Sequence, residues 1–274
     1  MLPVQIVALA FSHAAKLRIN SCGYETSFLT KLFPNAVVHA TPQAGAYSVG
    51  NVQTTFHSPF CRQLNAAVCG EDRDYCKRVQ SKYPRVWGPS VFPYALVIFY
   101  NRGYDNGMPP AVPPVVKGVA YVQLNCVRHR EAAAAALSDH VDVFAFGKCR
   151  GFGTRIQRRT FPGYFTRLGS DPQSPYRTHA FALTMEHANQ RGYCTEKALL
   201  AAAGGAIPIY DGDPPSLCKL LNCDRVLFWN ATTPRVVAAL LADESLYAKM
   251  WRLPRINAGK AREALLAAQR AVRL

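Results

Sequence analysis

Residues 181–210 read FALTMEHANQRGYCTEKALLAAAGGAIPIY. The stretch opens on a short apolar run, 181–185, of the kind that forms a buried strand. A polar loop follows. Thr195 is placed to cap a helix, since its hydroxyl can accept from the free amides of a first turn. Glu196 then sits at the positive end of that helix, where a carboxylate is favoured. The alanine-rich run 198–203 is strongly helix-forming. Gly204 and Gly205 stop it, because glycine tolerates the left-handed conformation past a last turn. Residues 206–210 form the next buried strand. A helix start facing a loop is a good place for a phosphate. Lys197 puts a cation there against the helix dipole, and an anionic ligand would account for it.

Moving outward, residues 119–124 read as a strand, 130–137 as an alanine-rich helix, 141–146 as a strand and 147–153 as a glycine-rich loop. A basic cluster, 155–159, follows. Residues 233–241 and 245–251 read as helices, and 258–274 as a basic amphipathic helix. The first half is less regular. Residues 4–11 and 95–100 read as buried parallel strands, with 36–40 a further one. The segment 108–114, MPPAVPP, is too rich in proline for a helix interior and suits a hinge. Strands alternating with helices indicate an α/β fold. There is no internal repeat.

The chain has 274 residues, 49% of them apolar, and a formal net charge of +15. That composition supports a sizeable core and excludes wholesale disorder. The charge attracts anions: nucleotide sugars, anionic membranes or nucleic acid. Aromatic residues do not interleave with the basic ones in any nucleic-acid motif, so nucleic acid is not expected as a partner. Nine cysteines are scattered without paired spacing and without a Cys-x-x-Cys. They read as reduced thiols of a cytoplasmic protein, with neither a disulfide framework nor a zinc site. The run 4–11 is too short to span a bilayer and lacks the flanks of a signal peptide.

Several motifs together resemble one family, the α1,3/α1,4-fucosyltransferases, which use GDP-fucose. Met185-Glu186-His187 corresponds to the family's Phe-Glu-Asn, with histidine in place of asparagine. Tyr193-Cys194-Thr195-Glu196-Lys197 corresponds to Tyr-x-Thr-Glu-Lys, and Ile207-Pro208-Ile209-Tyr210 to the strand after it. Asn125-Cys126, and residues 141–149 with Asp142, Lys148 and Cys149, are similar to two upstream segments. The likeness spans about residues 125–251.

The resemblance implies a GT-B-like fold, two Rossmann-like domains facing a cleft. An acceptor-side domain would occupy 1–120 and a GDP-fucose-binding domain 121–255. The basic helix in 256–274 would cross back to the first domain or make peripheral contact with a membrane. The activity implied is inverting transfer of L-fucose from GDP-fucose to a glycan hydroxyl, in α1,3 linkage, without a metal. Arg130 and Lys197 would face the diphosphate, with Arg128 a rival to Arg130. Glu186, His187, Tyr193, Thr195 and Glu196 would complete the donor site. Asp211-Gly212-Asp213 reads as a turn, not as a metal-binding Asp-x-Asp.

The family's base lies in a Glu-Ser-Pro, and this chain has none. Trp87-Gly88-Pro89-Ser90 stands as its remnant. Asp105 is the candidate base, since it follows a supposed strand, with Glu71 behind it. The alternatives are a degenerate protein that binds nucleotide or glycan without catalysis, and a transferase for another nucleotide sugar.

Overall fold

The structure, a computed structural model, describes residues 17–22, 26–40, 43, 46–51, 66–69, 76–78, 80–82, 85–89, 91–149, 151–162 and 168–272. The apolar run 4–11, together with Glu25, Glu71, Asp72 and Asp74, lies outside these residues.

The strands of the second half are β6 (Val116–Gln123), β7 (Val143–Gly147), β8 (Ile156–Arg158), β9 (His179–Met185), β10 (Ile207–Asp211) and β11 (Leu227–Phe228). They form one parallel sheet in the order β11-β10-β9-β6-β7-β8. Side chains alternate along each strand, so each face has its own core. Val119 and Tyr121 of β6 pack on one face with Leu183, Ile209, Leu137 and Val237. Ala120 and Val122 pack on the other with Ala182, Leu200 and Tyr176. The connecting helices are α3 (Arg128–Ser138), α4 (Pro175–Thr178), α5 (Lys197–Gly204) and α6 (Pro214–Leu217); α7 (Thr233–Ala242) and α8 (Glu244–Trp251) follow β11. After β6 the chain turns toward β7, and after β9 it turns toward β10. The switch point therefore lies between the C-terminal ends of β6 and β9, where open α/β sheets leave a crevice for ligands.

A smaller parallel sheet, in the order β2-β1-β3-β4-β5, is built from β1 (Arg18–Cys22), β2 (Val37–His39), β3 (Tyr47–Asn51), β4 (Ala66–Val68) and β5 (Val86–Trp87). Helix α1 (Thr26–Leu32) packs on it through Phe28, Leu29 and Leu32. The run expected as a strand at 95–100 is instead helix α2, Tyr94–Asn101, and this corrects the reading. All but Ile98 and Asn101 of its residues are buried. A helix covered on nearly every side has no polar face, so its sequence loses the 3.6-residue period that would reveal it.

The two sheets are joined through shared helices. Ala198, Leu199, Ala202 and Ala203 of α5 belong to the core that contains α1 and α2, whereas its Leu200 and Ala201 pack on β6 and β9. The last helix, α9 (Ala258–Ala271), lies on α1 and α2. Its apolar stripe, Ala261, Ala264, Leu265 and Ala268, is buried in the same core. The Tyr100 hydroxyl donates to the Ala261 carbonyl at 3.1 Å, and Gln269 Nε2 to the Lys31 carbonyl at 2.7 Å. Of the two placements expected for this helix, this is the one across the first sheet's helices.

The cysteines also require correction. Cys69–Cys76, Cys126–Cys149 and Cys218–Cys223 are disulfides, and among the described residues only Cys194 is a free thiol. Bridged cysteines persist in oxidising surroundings. The case for a cytoplasmic protein that rested on reduced thiols goes with them. Partners so far apart in sequence as Cys126 and Cys149 leave no local spacing signal. No helix among the described residues is long and apolar enough to cross a membrane.

Candidate donor site

The crevice at the ends of β6 and β9 is lined by a compact group of charges. Glu186 directly follows β9 and is almost fully buried, 1% exposed. Such a carboxylate is costly unless every lone pair is used. Its Oε1 accepts from the Thr195 amide at 2.7 Å. Its Oε2 accepts from the Thr195 hydroxyl at 2.7 Å and from Lys197 Nζ at 3.2 Å. Glu186 is thus spent on protein groups, and it holds the loop before α5 and the first cation of that helix.

Lys197 also donates to Thr195 Oγ1 at 2.8 Å and lies 3.5 Å from Glu196 Oε1. Burial alone would push its pKa down, but the Glu186 and Glu196 carboxylates outweigh that and raise it. The ammonium is therefore charged at any physiological pH. Glu196 shows the converse: burial opposes ionisation, yet the neighbouring Lys197 holds its pKa below the usual carboxylate value. Glu196, in helical conformation, stands at the N-cap position and makes no side-chain cap bond. Thr195 does not cap α5 as expected. Its hydroxyl serves Glu186 instead.

Across the switch point, α3 brings Arg130, 2% exposed, to the same place. Its Nε donates to the Glu186 carbonyl at 3.3 Å, and its Nη1 to Gln123 Oε1 at 3.1 Å. Nη2 has no partner among the described residues. His129 Nε2 donates to the same Glu186 carbonyl at 3.0 Å. Arg128, the rival candidate, is exposed on the opposite face of α3 and does not join the group. Tyr193 is buried and close enough for its hydroxyl to act on the Lys197 charge. His187 is exposed in the loop after β9. Gln123 and His129 are members that sequence reading missed. Nothing marks Gln123 except its place at a strand end, and His129 stands between two arginines that drew attention first.

The Asp211-Gly212-Asp213 loop closes the other side. Asp213 Oδ2 accepts from the Gly192 amide at 2.8 Å and from the Ser216 hydroxyl at 2.6 Å. It thus ties the loop before α5 to α6, as a turn residue would. A side chain at Gly212 would collide with the Tyr210 hydroxyl and with Glu186.

The first sheet meets this site from above. Gly192 has φ +86°, and a Cβ there would strike the Pro89 carbonyl. The Cys194 carbonyl accepts from the Ala95 amide at 2.8 Å, at the start of α2. Pro89 lies just beyond the C-terminal end of β5, so the C-terminal edges of the two sheets come together here. Asp105 is elsewhere. It follows a helix, not a strand, and is ion-paired with Lys31 of α1. The neighbouring segment packs at the far end of α5: Arg255 bridges the Met108 and Pro109 carbonyls to those of Ala202 and Ala203. The reason for naming Asp105 as base, a strand end facing the crevice, is absent.

The fold is similar to solved structures of α1,3-fucosyltransferase. One of them, with GDP, matches at a TM-score of 0.55 and 14% identity, covering 95% of this chain and 92% of that one. A second superposes with a TM-score of 0.50 at the same identity and coverage. No protein-family model and no curated protein sequence matches the chain. At that identity the likeness establishes the fold: α/β, with parallel sheets arranged as in those glycosyltransferases.

Proposed function

We propose that the protein is a GDP-fucose-dependent fucosyltransferase that places L-fucose on a glycan hydroxyl, in α1,3 linkage, with inversion, and that its two sheets face each other as the halves of a GT-B cleft. One observation carries this reading. A permanently charged ammonium and a buried guanidinium with an unused Nη2 converge at the switch point of a parallel sheet, beside the start of α5. Oriented cations at such a point suit a diphosphate leaving group.

In this reading Lys197 and the free side of Arg130 take the charge that builds on the diphosphate as the sugar bond breaks. Glu186 and Thr195 fix Lys197, so little rearrangement is needed at that moment. Glu196 and Tyr193 face the sugar and ribose hydroxyls. No metal is required, because these fixed cations supply the counter-charge. The acceptor hydroxyl gives its proton to a carboxylate from the N-terminal half of the chain. Asp105→Asn and Glu71→Gln test the two candidates, and loss of turnover by ~10²–10⁴ with unchanged GDP affinity marks the base.

Titration calorimetry with GDP, followed by a transfer assay on galactosyl and N-acetylglucosaminyl acceptors, tests the whole. The expected result is GDP binding that weakens in Lys197→Ala, and transfer by the wild type. Absence of GDP binding overturns the reading. A second reading, a nucleotide- or glycan-binding protein without catalysis, is favoured by one observation: the buried acids at the site, Glu186 and Asp213, are both committed to protein donors. GDP binding without transfer decides for it. Transfer from a different nucleotide sugar identifies the remaining alternative.

A further inference from the structure

Helix α3 has two working faces. Arg130, Ala133, Ala134 and Leu137 point toward the sheet. Arg128, Glu131, Ala132 and Ala135 recur at helical spacing on another face and line a separate groove of about 580 Å³ with Cys126, Lys148 and Phe152. That volume lies in the range of small-molecule sites.

Its chemistry is asymmetric. Arg128 and Lys148 make neither an ion pair nor a side-chain hydrogen bond among the described residues. The one acid in the wall, Glu131, is held by the Tyr121 hydroxyl and, at 2.8 Å, by the Gly151 amide, and its single charge leaves the two cations in excess. Phe152 is 78% exposed, between Gly151 and Gly153 on the loop after β7. An exposed ring on a glycine-flanked loop leaves a flat apolar face without a partner. The Cys126–Cys149 bridge ties the two walls together.

From this arrangement we infer that the groove between α3 and the loop after β7 binds an acidic sugar, its carboxylate or sulfate between Arg128 and Lys148 and its ring against Phe152. It is a site apart from the donor cluster, since Arg128 and Arg130 leave α3 on different faces. The identification of the ligand as a sugar rests on the transferase reading. The site itself rests on the groove.

The test uses the full chain and a glucuronic-acid-terminated disaccharide, with its methyl ester as the uncharged control, in NMR or calorimetric titration. The acid should bind and the ester should bind much more weakly. Arg128→Ala, Lys148→Ala and Phe152→Ala should each weaken the acid by about tenfold. Lys197→Ala should leave it unchanged, and the three groove variants should keep wild-type GDP affinity. Equal binding of acid and ester, or no binding of the acid at millimolar concentration, overturns the proposal. So does a loss of GDP affinity in Arg128→Ala or Phe152→Ala, which would make the groove part of the nucleotide site. If GDP does not bind while the acid does, the donor reading fails and the groove stands.

Discussion

The two edges of the six-stranded sheet both bury charge, yet they use it differently. At the N-terminal edge Arg225, 1% exposed, spends its guanidinium on the carbonyls of Trp251, Ala206 and Gly205. Arg255 does the same for Ala202 and Ala203. Arg255 meets the last carbonyls of α5 and Arg225 those just past it, where the helix dipole welcomes a cation. At the C-terminal edge Lys197 stands against that dipole, held by two acids, and Arg130 keeps a terminal nitrogen unassigned. Burial of a cation therefore does not mark a site. The proposed donor site differs in having one cation set against the local field, Lys197, and another, Arg130, with a nitrogen left over.

The comparison breaks most visibly at the N-terminal edge. Arg225→Ala orphans buried carbonyls and should cost about 3–5 kcal/mol. A denaturant titration should show it as a lowered midpoint, with GDP affinity unchanged at low temperature. Weakened GDP binding of the folded variant would erase the distinction between the edges.

Next comes acid. His179 opens β9 at this same edge, packed between Phe144 and Phe146, with Nδ1 donating to the Pro175 carbonyl at 3.0 Å. Burial pushes its pKa down to about 4. The unfolded chain takes up a proton near 6.5 and the native chain does not, so stability is lost as pH falls from that value toward 4. The loss should reach about 3 kcal/mol, and His179→Phe should flatten it. An acid limb of the same depth in that variant would assign the effect to other groups.

At the C-terminal edge the expected balance is reversed. Lys197→Ala should weaken GDP binding by about 1.5–3 kcal/mol and, by leaving the buried Glu186 carboxylate without its cation, should also lower the melting temperature. A large fall in melting temperature with GDP affinity intact would make Lys197 structural, like Arg225. Glu186→Gln sharpens this further. It keeps an acceptor for the Thr195 amide but loses the charge beside Lys197, so about 1–2 kcal/mol of stability should go. The smallest effect is expected from chelator. Transfer should persist unchanged, because Asp213 is engaged with Gly192 and Ser216. Loss of activity restored by manganese would revive a metal role for that loop.

Much of the second sheet was legible from residues alone. Phe181–Tyr210 gives the strand, helix and strand where the structure has β9, α5 and β10, because apolar runs bounded by glycine and polar loops leave few alternatives. Within the candidate site, Lys197 stood out because it breaks a local rule, and the structure brings it beside Arg130 and Glu186. Thr195 was misread because a threonine before a helix fits a cap and equally fits a buried carboxylate nine residues earlier. Helix α2 was misread because uniform burial removes its period. The Cys126–Cys149 bridge and the location of Asp105 depend on contacts distant in sequence, whereas Cys69–Cys76 and Cys218–Cys223 are local pairs whose spacing of seven and five was passed over.

Helix α9 has a consequence for how the chain comes to exist. Gln269 reaches back to Lys31 over 238 residues, and the stripe on α9 completes the core around α1 and α2. The small sheet is synthesised first and receives its cover last. At ordinary rates of translation it waits on the order of ten seconds or more for that helix to emerge. Throughout that interval the side of α1 and α2 that α9 covers stays open. The small sheet is thus the part most in need of a chaperone while the rest is made, and a stop codon just before residue 258 would release a large sheet that is finished beside a small one that is not.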